Sequence, residues 1–352
     1  MNWAREAARH PILRVVALLL IVGGVVAICA PRAIRAEPRA SEMRQPVRAT
    51  LAFVSNEAGR SVSVVDLDAL RVVATISMSA RPRGIQASPD GRFVYVALSD
   101  DRPNAAGVGD ALAVIDVATR RVIGRYAAGS DPEQFAVTPD GRFLYSANED
   151  AGTASATRLP GGDVVATMVV GIEPEGVAAS PDGRWVYVTA ETSNTVSVID
   201  VRRNEVTRSF LVDVRPRAAA FAPDSRTAWV TAEVGGTVSL VDVARHEVVE
   251  TIALDAEDPK PVGVVVSPDG SRVYVASGGA DAVYVIDART RKVVDRIAVG
   301  RRPWGLAITP DGRRILTADG LSDAMSVVDA ASGKVVATVK VGSRPWGIAI
   351  VP

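Results

Sequence analysis

Cysteine, histidine and aromatic residues are all scarce in this 352-residue chain. It has one cysteine, Cys29, and two histidines, His10 and His246, and aromatics make up 5% of it. A single cysteine excludes an internal disulfide scaffold, an iron–sulfur cluster and a multi-thiolate metal site. With so little histidine, no two-histidine metal site, Ser/His/Asp triad or haem-ligating pair is available, and no phosphate-binding glycine loop is present. Net charge is absent too: 40 basic residues balance 40 acidic ones, so nothing draws the chain as a whole to nucleic acid. Long apolar runs are limited to one, Val15–Ala30. It is shorter than the roughly 20 residues a spanning helix needs.

That run follows a basic segment (Arg5, Arg9, His10, Arg14), and "AIRA" then offers a cleavage point after Ala36. Residues 1–36 therefore read as a signal peptide, with an uncleaved N-terminal membrane anchor as the alternative. A lipoprotein reading of Cys29 is disfavoured by Ile28, where a small residue is expected. Cleavage removes five basic residues (Arg5, Arg9, Arg14, Arg32, Arg35) and one acidic residue (Glu6), leaving a net charge of −4 and no cysteine. The expected location is the periplasm. Residues 37–48 read as a short linker, and 49–352 as one domain.

What the chain does have is a repeat. "ASPDGRFVYVA", "VTPDGRFLYSA", "ASPDGRWVYVT", "FAPDSRTAWVT", "VSPDGSRVYVA" and "ITPDGRRILTA" place prolines at 89, 139, 181, 223, 268 and 310, and a seventh is Pro352. The spacings are 50, 42, 42, 45, 42 and 42, a period of propeller blades or helical arrays. Alternation within "TVSVIDV" and "FVYVAL" has the strand period of two, and Val, Ile, Thr and Tyr suit a pleated surface. Each repeat holds four such runs, for example "GVAAS", "RWVYVTA", "TVSVIDV" and "EVTRSFLV". The reading is an all-β, seven-bladed β-propeller with four antiparallel strands per blade.

The Pro-Asp-Gly turn joins first and second strands, with glycine at a positive-φ position. Pro223-Asp224-Ser225 lacks that glycine and is expected to be strained. The second-strand motif first occurs at Leu51, ahead of any first strand, so the C-terminal "GIAIV" is expected to join the N-terminal blade and close the ring. Aspartates 66, 116, 200, 242, 287 and 329 end the third strands. Repeated once per blade, they read as turn formers rather than as a metal or catalytic cluster. In the third blade Ala154 and Ala156 replace valines and Arg158 replaces the aspartate, which marks its third strand as the weakest.

Variation concentrates in the linkers into each first strand: "RPRG", "DPEQ", "EPEG", "RPRA", "KPVG" and two copies of "RPWG". In a propeller these line one rim of the central channel. The second-to-third-strand loops open on the same face and start with Glu57, Asp100, Glu149, Glu191, Glu233 and Asp319. The candidate ligand- or partner-binding face is therefore Arg83, Glu133, Gln134, Glu175, Arg217, Trp304 and Trp346, with Glu149, Glu191 and Glu233. Replacing Arg83, Arg217 and Trp346 is expected to leave the fold intact. The plain alternative is a set of ion pairs and aromatics that closes the channel. No catalytic or metal residue stands out, and a two-carboxylate mechanism on Glu133 and Glu175 stays open.

The repeat resembles the YVTN-family β-propeller repeat. The ordered set "DPEQF", "EPEG" and "RPRA" resembles, within it, the PQQ-dependent catabolism-associated β-propeller proteins. The resemblance runs over the whole chain after the leader. It implies an exported protein found alongside periplasmic quinoprotein alcohol dehydrogenases and c-type cytochromes, which are the implied partners, with no activity established for the family. Since no catalytic constellation stands out, the reading is a monomeric, non-catalytic binding or accessory module. It assigns no cofactor to the chain, PQQ included. The third blade's missing aspartate and the loop "LSDDRPNAAGVGDA" (98–111) are where this sequence departs from the pattern. A lactonase-like propeller hydrolase and a surface-layer or adhesive role are the alternatives.

Overall fold

The computed structural model describes residues 50–100 and 109–351. The leader-like segment with His10 and Cys29, the 37–48 linker, the middle of the 98–111 loop and Pro352 lie outside the described residues. Residues 48–352 form a unit of their own.

Three strands open the first blade: β1 (Leu51–Asn56), β2 (Ser61–Asp66) and β3 (Arg71–Ser77). The second blade is β4 (Arg81–Ala87), β5 (Phe93–Ser99), β6 (Ala111–Asp116) and β7 (Arg121–Tyr126). The third is β8 (Pro132–Val137), β9 (Phe143–Asn148), β10 (Thr153–Arg158) and β11 (Asp163–Val169). The fourth is β12 (Pro174–Ala179), β13 (Trp185–Ala190), β14 (Thr195–Asp200) and β15 (Glu205–Leu211). The fifth is β16 (Pro216–Phe221), β17 (Thr227–Ala232), β18 (Thr237–Asp242) and β19 (Glu247–Ala253). The sixth is β20 (Pro261–Val266), β21 (Arg272–Ser277), β22 (Ala282–Asp287) and β23 (Lys292–Ala298). The seventh is β24 (Pro303–Ile308), β25 (Arg314–Asp319), β26 (Ala324–Asp329) and β27 (Lys334–Lys340). Finally β28 (Pro345–Val351) returns to pair with β1, from Leu51↔Val351 to Asn56↔Pro345, giving the sheet order β28-β1-β2-β3. The protein is a seven-bladed, all-β propeller, closed by its C-terminal strand. Among the described residues the one helical piece is the single turn Glu149–Ala151.

The core lies between blades rather than at the centre of the ring. Because second and third strands are covered on both faces, β9 and β13 are buried at every position after the first. Seven apolar clusters form, one per blade-to-blade interface. Phe53, Val64, Val96 and Ile115 join the first and second blades, and Val54, Leu316, Val327 and Ile348 join the first and seventh. Large side chains such as Trp229, Tyr145, Tyr187 and Tyr284 are fully buried in this way. Each outer strand carries a register shift against the third strand, as between Val64 and Val65 or Val198 and Ile199. Such bulges blunt an exposed edge against pairing with another chain.

The local expectations fall out as follows. Ser225 adopts φ 58° where the other Pro-Asp-Gly turns place glycines at 66–71°. The third-strand aspartates cap turns: Asp66 accepts the Asp68 and Ala69 N–H groups and Asp287 accepts that of Thr290, each within 2.9 Å. The Thr290 N–H and hydroxyl hold Asp287 down to about 2. In the third blade β10 pairs over all six residues with β9, so the exchange of valine for alanine does not interrupt the ladder.

Deleting residues 343–352 removes Trp346, Ile348 and Val351, all buried. At ~1.5–3 kcal/mol per large apolar side chain, that loss is comparable with the whole ~5–15 kcal/mol stability of a domain. The truncated protein is expected to aggregate or lose its cooperative melting transition in calorimetry. A transition at the parent temperature would refute ring closure by β28.

Candidate functional site

Each first strand begins with Pro-x, and the residue after the proline is skipped by the ladder. Pro216 pairs with Ala232, but the next pair is Ala219 with Val230. Trp346 is likewise passed over between the Asn56↔Pro345 and Ser55↔Gly347 pairs. A bulge turns its extra side chain out of the sheet, here toward the channel mouth. Small residues then let the inner strands close up: a Cβ on Gly305 would lie 2.5 Å from the Trp346 carbonyl oxygen, and one on Gly84 2.6 Å from that of Glu133. Second-strand hydroxyls fix the same backbone. Ser55 Oγ donates to the Arg83 carbonyl (2.7 Å) and Thr231 Oγ1 to that of Val262 (2.6 Å).

The side chains so placed surround a cavity of about 290 Å³. Arg83, Glu133, Glu149, Glu175, Glu191, Arg217, Trp304 and Trp346 line it, together with Glu57, Arg215, Arg302, Gly320, Leu321, Arg344 and Pro345. Of the expected face, Gln134 is half-buried and does not line the cavity, while Glu233 touches it through its ion pairs. Arg215, Arg302 and Arg344 were not expected. They precede the prolines, and their φ values of 62°, 50° and 52° lie in the left-handed region that non-glycine residues seldom occupy.

Two arginine-centred knots organise the charge. Arg217, 5% exposed, meets Glu175 at 3.0 Å, Glu233 at 3.6 Å and Glu191, and its guanidinium lies 5.0 Å from the centre of the Trp304 ring. Arg215 reinforces it through Glu191 at 2.8 Å. Arg83 meets Glu133, Glu57 at 3.4 Å and Glu149 at 3.7 Å. Burial pushes the Glu149 carboxyl up to about 7; Glu175 and Asp131 push the same way, and Arg83 and Arg217 oppose them. Carboxylate oxygens of Asp131, Glu133 and Glu149 lie within 4.8 Å of one another, as a cation would need, but Arg81 and Arg83 already pair with this group. Arg217 bears on the expectation that the face can be emptied without harm: among the described residues it is the ion-pair partner of the almost wholly buried Glu175, whereas Glu191 and Glu233 also meet Arg215.

The sequence model of the YNCE-like beta-propeller family matches residues 122–310, more than half of the chain. The chain belongs to the YNCE-like β-propeller family. The model of the lactonases with a seven-bladed beta-propeller matches residues 29–161. No curated protein matches the sequence. Similar solved structures include Kuenenia stuttgartiensis hydrazine synthase (21% identity, TM-score 0.72, covering 79% of this chain and 92% of that one). A functionally unknown protein from Desulfotomaculum acetoxidans is another (20%, 0.73, 85% and 98%). A third is a candidate 6-phosphogluconolactonase from Bacteroides fragilis (18%, 0.71, 88% and 99%). At these identities the likeness speaks for the fold alone.

Asp319 belongs elsewhere in this YNCE-like propeller than the sequence reading put it. It is the last residue of β25, fully buried, and Gly320 stands at the loop position that Glu57 and Glu149 hold. Its counterparts are Asn56 and Asn148, whose Oδ1 atoms accept the Gly342 and Gly129 N–H groups and whose Nδ2 atoms donate to third-strand hydroxyls. Asp319 accepts from Thr317 Oγ1 (2.7 Å) and Ser326 Oγ (2.6 Å). Burial nevertheless pushes it up to about 6, against these hydrogen bonds. His246 is also structural. It lies in a third-to-fourth-strand turn, its Nδ1 2.8 Å from Tyr187 Oη and its ring edge-on to Trp185, and burial keeps its pKa low.

Two outcomes follow. Arg217→Ala is expected to cost about 3–5 kcal/mol, as breaking a buried pair does, read from urea midpoints; adding Glu175→Gln should recover part of it. For Asp319, the raised folded pKa stabilises fully below the unfolded value near 3.9 and is lost as pH rises through about 6. Asp319→Asn should therefore raise the melting temperature at pH 7.5, with the gain shrinking towards pH 5. A gain that grew on acidification would refute the assignment.

Proposed function

We propose that the protein is an exported binding module whose channel mouth recognises a ligand or partner, accessory to periplasmic quinoprotein alcohol oxidation. One observation carries the binding role: the cavity is lined by arginine, glutamate, tryptophan, Gly320, Leu321 and Pro345, with no hydroxyl, thiol, imidazole or amine side chain among the lining residues. Charged and aromatic groups of this kind suit recognition, and the lining carboxylates Glu133, Glu175 and Glu191 are already engaged by arginines. The ordered linkers "DPEQF", "EPEG" and "RPRA" support the quinoprotein association through their resemblance to that subfamily. A dehydrogenase or c-type cytochrome is the partner class it implies.

A second reading is favoured by Glu149. A carboxyl held near 7 beside Arg83 is suited to act as a general base on a water molecule, and the lactonase family match supplies a reaction class.

Purified protein lacking residues 1–36 tests both readings. Capture of a quinoprotein dehydrogenase or its cytochrome from periplasmic extract, with and without added pyrroloquinoline quinone, is expected for the binding role. An empty capture would count against it. Turnover of sugar lactones that vanishes in Glu149→Gln, with a pH profile breaking near 7, would favour the hydrolase.

A further inference from the structure

The two halves of the channel mouth differ in chemistry. Over the fourth and fifth blades the cations are neutralised, with Arg217 held among Glu175, Glu191 and Glu233. Over the sixth and seventh, glycines 278 and 320 occupy the acidic loop position, so Arg302 has no such carboxylate in its own blade, while Glu57 of the first blade, which Arg344 enters, is turned to Arg81 and Arg83. Among the described residues Arg302 pairs with one carboxylate, Glu233, at 3.6 Å, and rests its guanidinium 4.9 Å from the centre of the Trp304 ring, and Arg344 forms no ion pair. Between these cations lies an aromatic surface: the Trp304 and Trp346 ring centres are 6.3 Å apart. The buried Trp304 indole N–H has no hydrogen-bond partner.

We infer that this sector binds a small aromatic carboxylate, with its ring against the Trp304–Trp346 surface and its carboxylate on Arg302 and Arg344. The inference rests on the binding role proposed above and adds the ligand's chemistry. An inorganic anion would satisfy the guanidinium groups and leave the indoles bare, and a neutral arene would do the reverse. Guanidinium forks match carboxylates in two-point geometry, and offset aromatic pairs form at centroid separations of about 4.5–7 Å. The cavity's 290 Å³ falls just below the roughly 300–1,000 Å³ of small-molecule pockets, which suits a small ligand. Trp346 is only 7% exposed, so the aromatic surface is within reach of a small molecule rather than of a protein surface.

Calorimetric titration of the protein with 2-naphthoate tests the inference, with cyclohexanecarboxylate and 2-naphthalenemethanol as probes lacking the arene or the charge. Saturable naphthoate binding is expected, at least about tenfold weaker for either control probe. Arg344 is exposed and forms no ion pair among the described residues, so Arg344→Gln should melt like the parent yet bind naphthoate about tenfold more weakly; Arg302→Gln provides an independent second variant. No naphthoate binding by the parent, equal binding of cyclohexanecarboxylate, or undiminished binding by folded Arg344→Gln would overturn the inference. Partner capture by a parent that does not bind naphthoate would remove this ligand class alone. Failure of both would remove the binding role as well.

Discussion

The fold depends on one constraint: each blade's sheet is apolar on both faces, so no blade can be stable without a neighbour on either side. The seven clusters that result are separate from one another, and only a closed ring leaves none of them open to water. Closure here depends on a strand supplied from the far end of the chain, since β28 completes the sheet that β1 begins. The channel mouth follows from the same constraint. Inner strands driven together by blade packing meet just after the Pro-x pair, at a glycine in five of the seven blades, and the bulged x residues turn toward the channel.

The mouth is an ionic structure built on an apolar frame. Carboxylates as buried as Glu133 and Glu175 persist because guanidinium groups lie against them; unpaired, each would carry a large desolvation cost. The ion pairs thus serve the fold first, and the proposed recognition falls to Arg302 and Arg344, the lining arginines with the fewest carboxylate partners among the described residues. Of the sequence alternatives, the self-neutralised rim describes the surroundings of Arg83 and Arg217; the binding rim is the proposal made for Arg302 and Arg344.

Blade number, strand order and ring closure were legible because they repeat: seven copies of one pattern allow register, turns and the missing strand to be counted. Asp287 and its equivalents were legible as turn caps for the same reason. The individual contents of the mouth were less so. Arg302 and Arg344 went unremarked because backbone geometry, a left-handed residue before each proline, puts them there, and nothing in the residue type signals it. Asp319 was misplaced by one position because aspartate reads as a loop residue. Only the hydrogen-bond pattern of Asn56 and Asn148 reveals that a strand-end amide position has been filled by an acid. Gln134 was placed on the face beside Glu133, but adjacent strand residues face opposite ways.

The pairing of β1 with β28 also shapes how the molecule forms. Leu51 and Val351 are neighbours in the sheet, so the contact of greatest sequence separation is among the last that synthesis allows. Until β28 emerges, the growing chain is an open arc whose first and latest blades each show water an apolar face. Contacts so distant carry a high loop-closure cost and slow folding, and partly formed β-structures with bare faces associate readily. The bulge in every outer strand protects the finished ring's perimeter, but it cannot cover the flat ends of the unfinished arc. For this architecture the vulnerable species is the chain whose blades are formed but whose β28 is not yet in place.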